Sequence, residues 1–93
     1  MIPGYEWDDQ KAISNLEKHE VSFEEATTVF LDRLALSILD PDHTEDEERW
    51  VTTGFSSRQR CLQVWHTYRG NVIRIIGVRV AAPAERRAYE SGK

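Results

Sequence analysis

A chain of 93 residues with 40% hydrophobic and 10% aromatic content is sized for one domain, spanning 1–93, around a modest core. Its single cysteine, Cys61, excludes an internal disulfide and a cysteine-based zinc site. The net charge of −4 conceals a gradient: residues 1–50 hold 14 acids against 4 bases, and residues 51–93 hold 2 acids against 8 bases, which points to a basic working surface or to an acidic segment shielding one.

The opening "MIPGYEWDDQ" has no basic region followed by an apolar stretch, and no apolar run approaches the roughly 18 to 20 residues that span a bilayer. A cytoplasmic setting with no membrane is the simplest reading. "GYEWD" suits a first strand, and Asp8 or Asp9 can cap the helix that follows. In "DDQKAISNLEKH" the residues Ala12, Ile13 and Leu16 recur at helical spacing, with acids at the front and Lys18 and His19 at the back, as the helix dipole favours. "VSFEEATTVF" begins with a capping box, Ser22 accepting from the amide of Glu25 and the Glu25 side chain reaching back, with Val21 and Ala26 placed for a hydrophobic staple. Phe23, Ala26, Val29 and Phe30 then give this second helix one apolar face.

Beyond it, "LALSILD" alternates as a strand and "DPDHTEDEE" is a polar, acidic loop. "RWVTTGFS" and "CLQVWHTYR" read as strands joined by the turn "SRQR", with Cys61 as packing. Gly70-Asn71 closes a tight hairpin, with glycine first as a type II′ turn requires, and "VIRIIGVRV" returns antiparallel. A two-residue loop pairs Arg69 with Val72, Thr67 with Arg74 and Leu62 with Arg79. That register puts Gln63, Trp65, Thr67, Arg69, Arg74, Ile76 and Val78 on one face. The more apolar set of Leu62, Val64, His66, Tyr68, Ile73, Ile75 and Arg79 lies on the other, where helices are expected to pack. "APAERRAYESGK" ends the chain as a short helix, with Pro83 at its first position and Gly92 as its stop. The order β-α-α-β-β-β-α implies an α+β domain: an antiparallel sheet with two N-terminal helices and a short C-terminal helix, the helices gathered mainly on one side.

Chemistry narrows quickly. His19, His43 and His66 match no metal-ligand spacing, and neither a nucleophile elbow nor a phosphate-cradling glycine loop is present, so no metal and no cofactor is expected. RNA is the more promising target. Arginine forks bind phosphate bidentately, and an accessible sheet face bearing Trp65, Thr67, Arg69 and Arg74 suits a backbone and a base. Metal-free RNA cleavage needs a base for the 2′-hydroxyl proton, cations for the phosphorane and an acid for the leaving oxygen. His19, His43 or His66 can serve as acid or base, and Arg69, Arg74 or Arg79 as the cation. Equally, His66 can sit in the core and His19 simply end a helix. Arg86 and Arg87 can be an exposed helix face, with Glu85 and Tyr89 docking that helix on the sheet.

The segments "EWD", "KHEVSFEEATTVF", "EERW", "GFS", "HTYR" and "RIIGVRVAAPAERRAYE" together resemble the BrnT family, toxins of type II toxin-antitoxin systems with a RelE-like fold, from about Tyr5 to Glu90. The resemblance implies a ribonuclease that arrests growth by cutting RNA. It also implies a BrnA-like ribbon-helix-helix antitoxin as partner, and operator DNA bound only through the toxin-antitoxin complex. By position, Lys18 and His19 match the family's Lys-His pair, and Arg69 the basic residue after the long strand. Arg79 matches the strand-end arginine, and Glu85, Arg86 and Tyr89 match the terminal helix. Together with Arg87 this helix is the expected antitoxin surface. Three departures carry physical consequences. Glu20 stands where the family usually has Gly, so the first helix must close without the residue that turns left-handed most cheaply. Gly77-Val78 replaces Ser-Ala and removes a hydroxyl, and Ala82 replaces a Ser or Thr cap. Two other readings follow: a catalytically inactive partner-binding module, or a stand-alone RNA-binding domain.

Overall fold

The N-terminal segment delivers the first strand to one edge of a sheet whose other strands form a meander. The computed structural model describes residues 2–42 and 48–92. Its elements are β1 (Tyr5–Glu6), α1 (Asp9–His19), α2 (Phe23–Thr28) running into a 3-10 turn (Val29–Leu31), β2 (Leu36–Leu39), β3 (Trp50–Phe55), β4 (Cys61–Arg69), β5 (Val72–Val80) and α3 (Pro83–Ser91). The five-stranded sheet has the order β1-β5-β4-β3-β2. Strands β2 to β5 are antiparallel, as expected, but β1 runs parallel to β5 through Tyr5 opposite Ile73 and Glu6 opposite Arg74, so the sheet is mixed. The meander leaves two edges, β2 and β5; β1 takes the outer edge of β5, and α1 and α2 carry the chain from that edge across to β2.

The local signals explain the helix ends. Asp8 caps α1 by accepting from the amides of Gln10 and Lys11 at 2.8 and 3.1 Å. Glu20 closes it in the left-handed region, φ 57°, with its amide on the Leu16 carbonyl at 2.9 Å. Ser22 caps α2 by accepting from the Glu25 amide at 3.0 Å, but the reciprocal half of the expected capping box is missing. The Glu25 carboxylate instead takes the Arg60 Nε at 3.0 Å and the Ser56 hydroxyl at 2.6 Å, tying α2 to the β3–β4 turn with only 3% of its side chain exposed. At α3 the Ala82 position offers no side-chain cap, and the Glu85 carboxylate accepts from the Ala82 amide at 2.7 Å.

The core lies between α1/α2 and one sheet face, where Val21, Phe23, Ala26 and Val29 meet Leu62, Val64, Ile75 and Val78. Asn15 finishes the sheet edge. Because β1 is only two residues long, the outer side of β5 is uncovered at Val78, and the Asn15 amide pairs with both the Val78 N–H and C=O, at 3.0 and 2.8 Å. Helix α3 packs on the opposite face, with Tyr89 buried against Phe55 and its hydroxyl 2.6 Å from the Asp32 carboxylate.

The hairpin register departs from expectation midway. Arg69 pairs with Val72 and Thr67 with Arg74, but a bulge at Trp65/His66 shifts the rest, so Leu62 faces Val80 and Gln63 faces Arg79. One extra residue reverses the parity of the strand beyond it. Val78 thereby enters the core, and Arg79 leaves the face covered by α1 and α2 for the face of Trp65 and Gln63, where it meets α3 at Glu85.

Candidate functional site

That bulge brings Arg79 to the face that carries the other arginines and holds it firmly. Its Nη1 and Nη2 donate to the two oxygens of Glu85 at 2.8 Å each. Nη2 also reaches Gln63 Oε1 at 3.2 Å, and the guanidinium lies 5.2 Å from the centre of the Trp65 ring. The Arg79 fork holds the Glu85 carboxyl below its ordinary range. Further along the same face, Arg74 donates to Glu6 at 2.7 Å. Thr67 is buried, and its hydroxyl is committed to the Glu48 carbonyl at 2.6 Å. Arg69 sits at the hairpin end. From Gln63, opposite Arg79, to Arg69 the strand advances six residues, roughly 20 Å, so these two arginines cannot serve one phosphate.

A second group lies at the other side of β5. Lys18 and His19, exposed in the last turn of α1, share a cleft of about 210 Å³ with Lys11, Ser14 and Ile76. Ile76 precedes Arg79 by three positions, so β5 stands between the two cationic groups. On α3, Arg86 pairs with Glu90 at 3.3 Å and lies 5.1 Å from the Phe55 ring centre, while Arg87 is exposed. Glu85 and Tyr89 face inward and fasten the helix.

The histidines part company. His66 is 0% exposed, its Nε2 2.7 Å from the Thr52 hydroxyl, which is itself 2.7 Å from Ser37 Oγ. Phe30 presents its ring edgewise at 4.8 Å, Nδ1 has no partner, and burial pushes the imidazole pKa down to about 4. A proton on Nε2 lets the ring donate to Thr52 and leaves only a lone pair unmet at Nδ1, cheaper than a stranded N–H. His66 is therefore a neutral core residue, out of reach of an RNA strand. His43 lies outside the described residues.

Several residues that organise the site carry no obvious sequence signal. Gln63 and Glu6 position the arginines, and Glu25 with Arg60 braces the fold beneath. Asn15 could have been noticed as a poor helix former in mid-helix.

The family model described as "Ribonuclease toxin, BrnT, of type II toxin-antitoxin system" matches residues 7–85. The chain belongs to the BrnT family. Among solved structures, the 1.1 Å crystal structure of the Brucella abortus ribonuclease toxin BrnT is similar to it with a TM-score of 0.61 and 23% identity, over 82% of this chain and 92% of that one. No curated protein matches. The BrnT assignment makes this a ribonuclease toxin family member with an antitoxin partner, and the Brucella structure shares its α+β fold. Among the described residues, no helix is long and apolar enough to cross a membrane.

Proposed function

We propose that this BrnT chain is a cytoplasmic endoribonuclease that cleaves RNA without a metal and is neutralised by a BrnA-like ribbon-helix-helix antitoxin, the complex rather than the toxin binding operator DNA. The observation that carries the reading is the Arg79 guanidinium, held by Glu85 and Gln63 over the Trp65 ring on an accessible sheet face. A fixed fork beside an aromatic plane suits a phosphate with a neighbouring base. In the reaction the ribose 2′-oxygen attacks the adjacent phosphorus and the 5′-oxygen leaves. The products are a 2′,3′-cyclic phosphate and a 5′-hydroxyl. With the RNA crossing the edge of β5, Arg79 stabilises the charge of the phosphorane from one side of the strand, while from the other side Lys18 adds a second cation and His19 exchanges the protons. Trp65 and Arg74 hold the flanking nucleotides. Arg69, far from Arg79, steers the strand. Cations grouped on both sides of β5 disfavour a divalent ion and supply the charge themselves, which supports the metal-free route.

One observation favours a second reading, a partner-binding module without activity. Four of the bonds available to the Arg79 guanidinium are already in use, to Glu85 twice, to Gln63 and to the Val80 carbonyl. The two readings separate on controlled expression in a bacterial host with and without the antitoxin. Growth arrest with RNA degradation, relieved by the antitoxin and lost in Arg79→Ala, supports the toxin. Normal growth with intact RNA, from soluble folded protein, supports the module.

A further inference from the structure

Helix α1 has two unlike faces. Lys11, Lys18 and His19 line the cleft beside β5. On its other flank Ile13 and Leu16, 54% and 50% exposed, form one wall of a groove of about 450 Å³. The start of α2 forms the opposite wall, and Trp7, packed edge-on at 5.8 Å against the buried Phe23, makes a firm floor. Every charged side chain lining this groove is an acid, Asp9 and Glu24. Glu17 and Glu20, each four residues beyond an exposed aliphatic, extend the acidic margin. An aliphatic trough with carboxylates along its rim is complementary to a helix that presents aliphatic side chains at i and i+3 or i+4 between lysines and arginines. A second copy of the chain fits badly, because a two-fold contact here would set these acids against themselves.

We infer that this groove is the seat of a basic amphipathic helix of the antitoxin, an inference that rests on the toxin reading for the identity of the partner. It gives the acidic first half of the chain a task, and it places the anchoring surface on α1 and α2 rather than on α3. The groove and the Lys18/His19 cleft share one helix, so an antitoxin anchored here is held within about 10 Å of those groups.

The test uses the toxin and the antitoxin encoded with it, with three toxin variants: Ile13→Glu/Leu16→Glu, Glu17→Gln/Glu24→Gln, and Arg86→Glu/Arg87→Glu on α3. Circular dichroism first establishes that each is folded, which the exposure of these side chains favours. The apolar variant is expected to lose at least about 30-fold in antitoxin affinity and to arrest growth even with antitoxin present. The acid-to-amide variant is expected to lose affinity at low salt and to converge with wild type at high salt. Unchanged affinity in both groove variants, with loss in the α3 variant, overturns the inference. So does a dimer of the toxin alone that Ile13→Glu/Leu16→Glu dissolves. If wild-type protein neither arrests growth nor degrades RNA, the toxin reading fails, and the affinity measurements still decide the docking surface.

Discussion

Lowering the pH should unfold this protein partly through one residue, His66. Its imidazole is fully enclosed, with the pKa pushed down to about 4 by burial against an ordinary value near 6.5. The unfolded chain therefore takes up a proton as the pH falls through 6.5, while the folded chain resists until about 4. Folded stability must fall across that window and level off below it. At about 1.36 kcal/mol per unit of pKa difference, the loss is roughly 2 kcal/mol between pH 7.5 and pH 5 and roughly 3 kcal/mol by pH 4. The assay is urea denaturation at a series of pH values for wild type and His66→Gln, whose amide can still bond Thr52 but does not titrate. Whatever the substitution costs at pH 7.5, the gap between the two curves should close, or reverse, by roughly 2 kcal/mol on going to pH 5, since every other ionisable group is common to the two proteins. Parallel curves would refute the reasoning and mean that the imidazole is protonated where it stands.

Glu20→Gly should raise stability by roughly 0.5–1 kcal/mol, because a non-glycine residue at φ 57° carries left-handed strain; a thermal melt shifted upward by a few degrees checks it. Arg60→Ala should cost roughly 3–5 kcal/mol by stranding the buried Glu25 carboxylate. Glu25→Gln in that background should restore part of the loss, as denaturant midpoints will show. The Arg60 fork also holds Glu25 below its ordinary carboxylate range. This pair's contribution is therefore present above about pH 4.5 and disappears as the pH falls through the lower folded pKa. Asn15→Leu should cost roughly 2 kcal/mol or more by leaving both Val78 backbone groups unpaired, with faster amide exchange at Val78 as the specific sign.

The element order was readable because each helix and strand carries its own local signal: an Asp or Ser cap, apolar spacing, or Gly70-Asn71 at the hairpin. Where the reading failed, the deciding interaction was remote. Apolar residues of both parities in "RIIGV" cannot fix which face each side chain takes, so the bulge was invisible to alternation. Yet Gly77 inside the strand, and the placement of Arg79 on the apolar face that an unbroken register demanded, both hinted at it. The parallel pairing of β1 depends on which of the meander's two edges it takes, and no local signal in "GYEWD" says which. Glu25 fitted a capping box locally, but Arg60 and Ser56, from the far side of a sheet turn, claim its carboxylate. Of the candidate site residues, Lys18, His19 and Arg79 are proposed from the sequence, whereas the separation of Arg69 from Arg79 needed the strand geometry.

The most direct test of the account is cleavage of an end-labelled RNA by purified protein in the presence of a metal chelator, comparing wild type with Arg79→Ala, Arg79→Lys and Arg69→Ala. Cleavage to 2′,3′-cyclic phosphate ends should resist the chelator. Arg79→Ala should slow it by about 100-fold or more, Arg79→Lys should barely rescue it because a lysine cannot reproduce the fork, and Arg69→Ala should lose mainly RNA affinity. Cleavage abolished by the chelator, or unaffected by the loss of Arg79, would contradict the account.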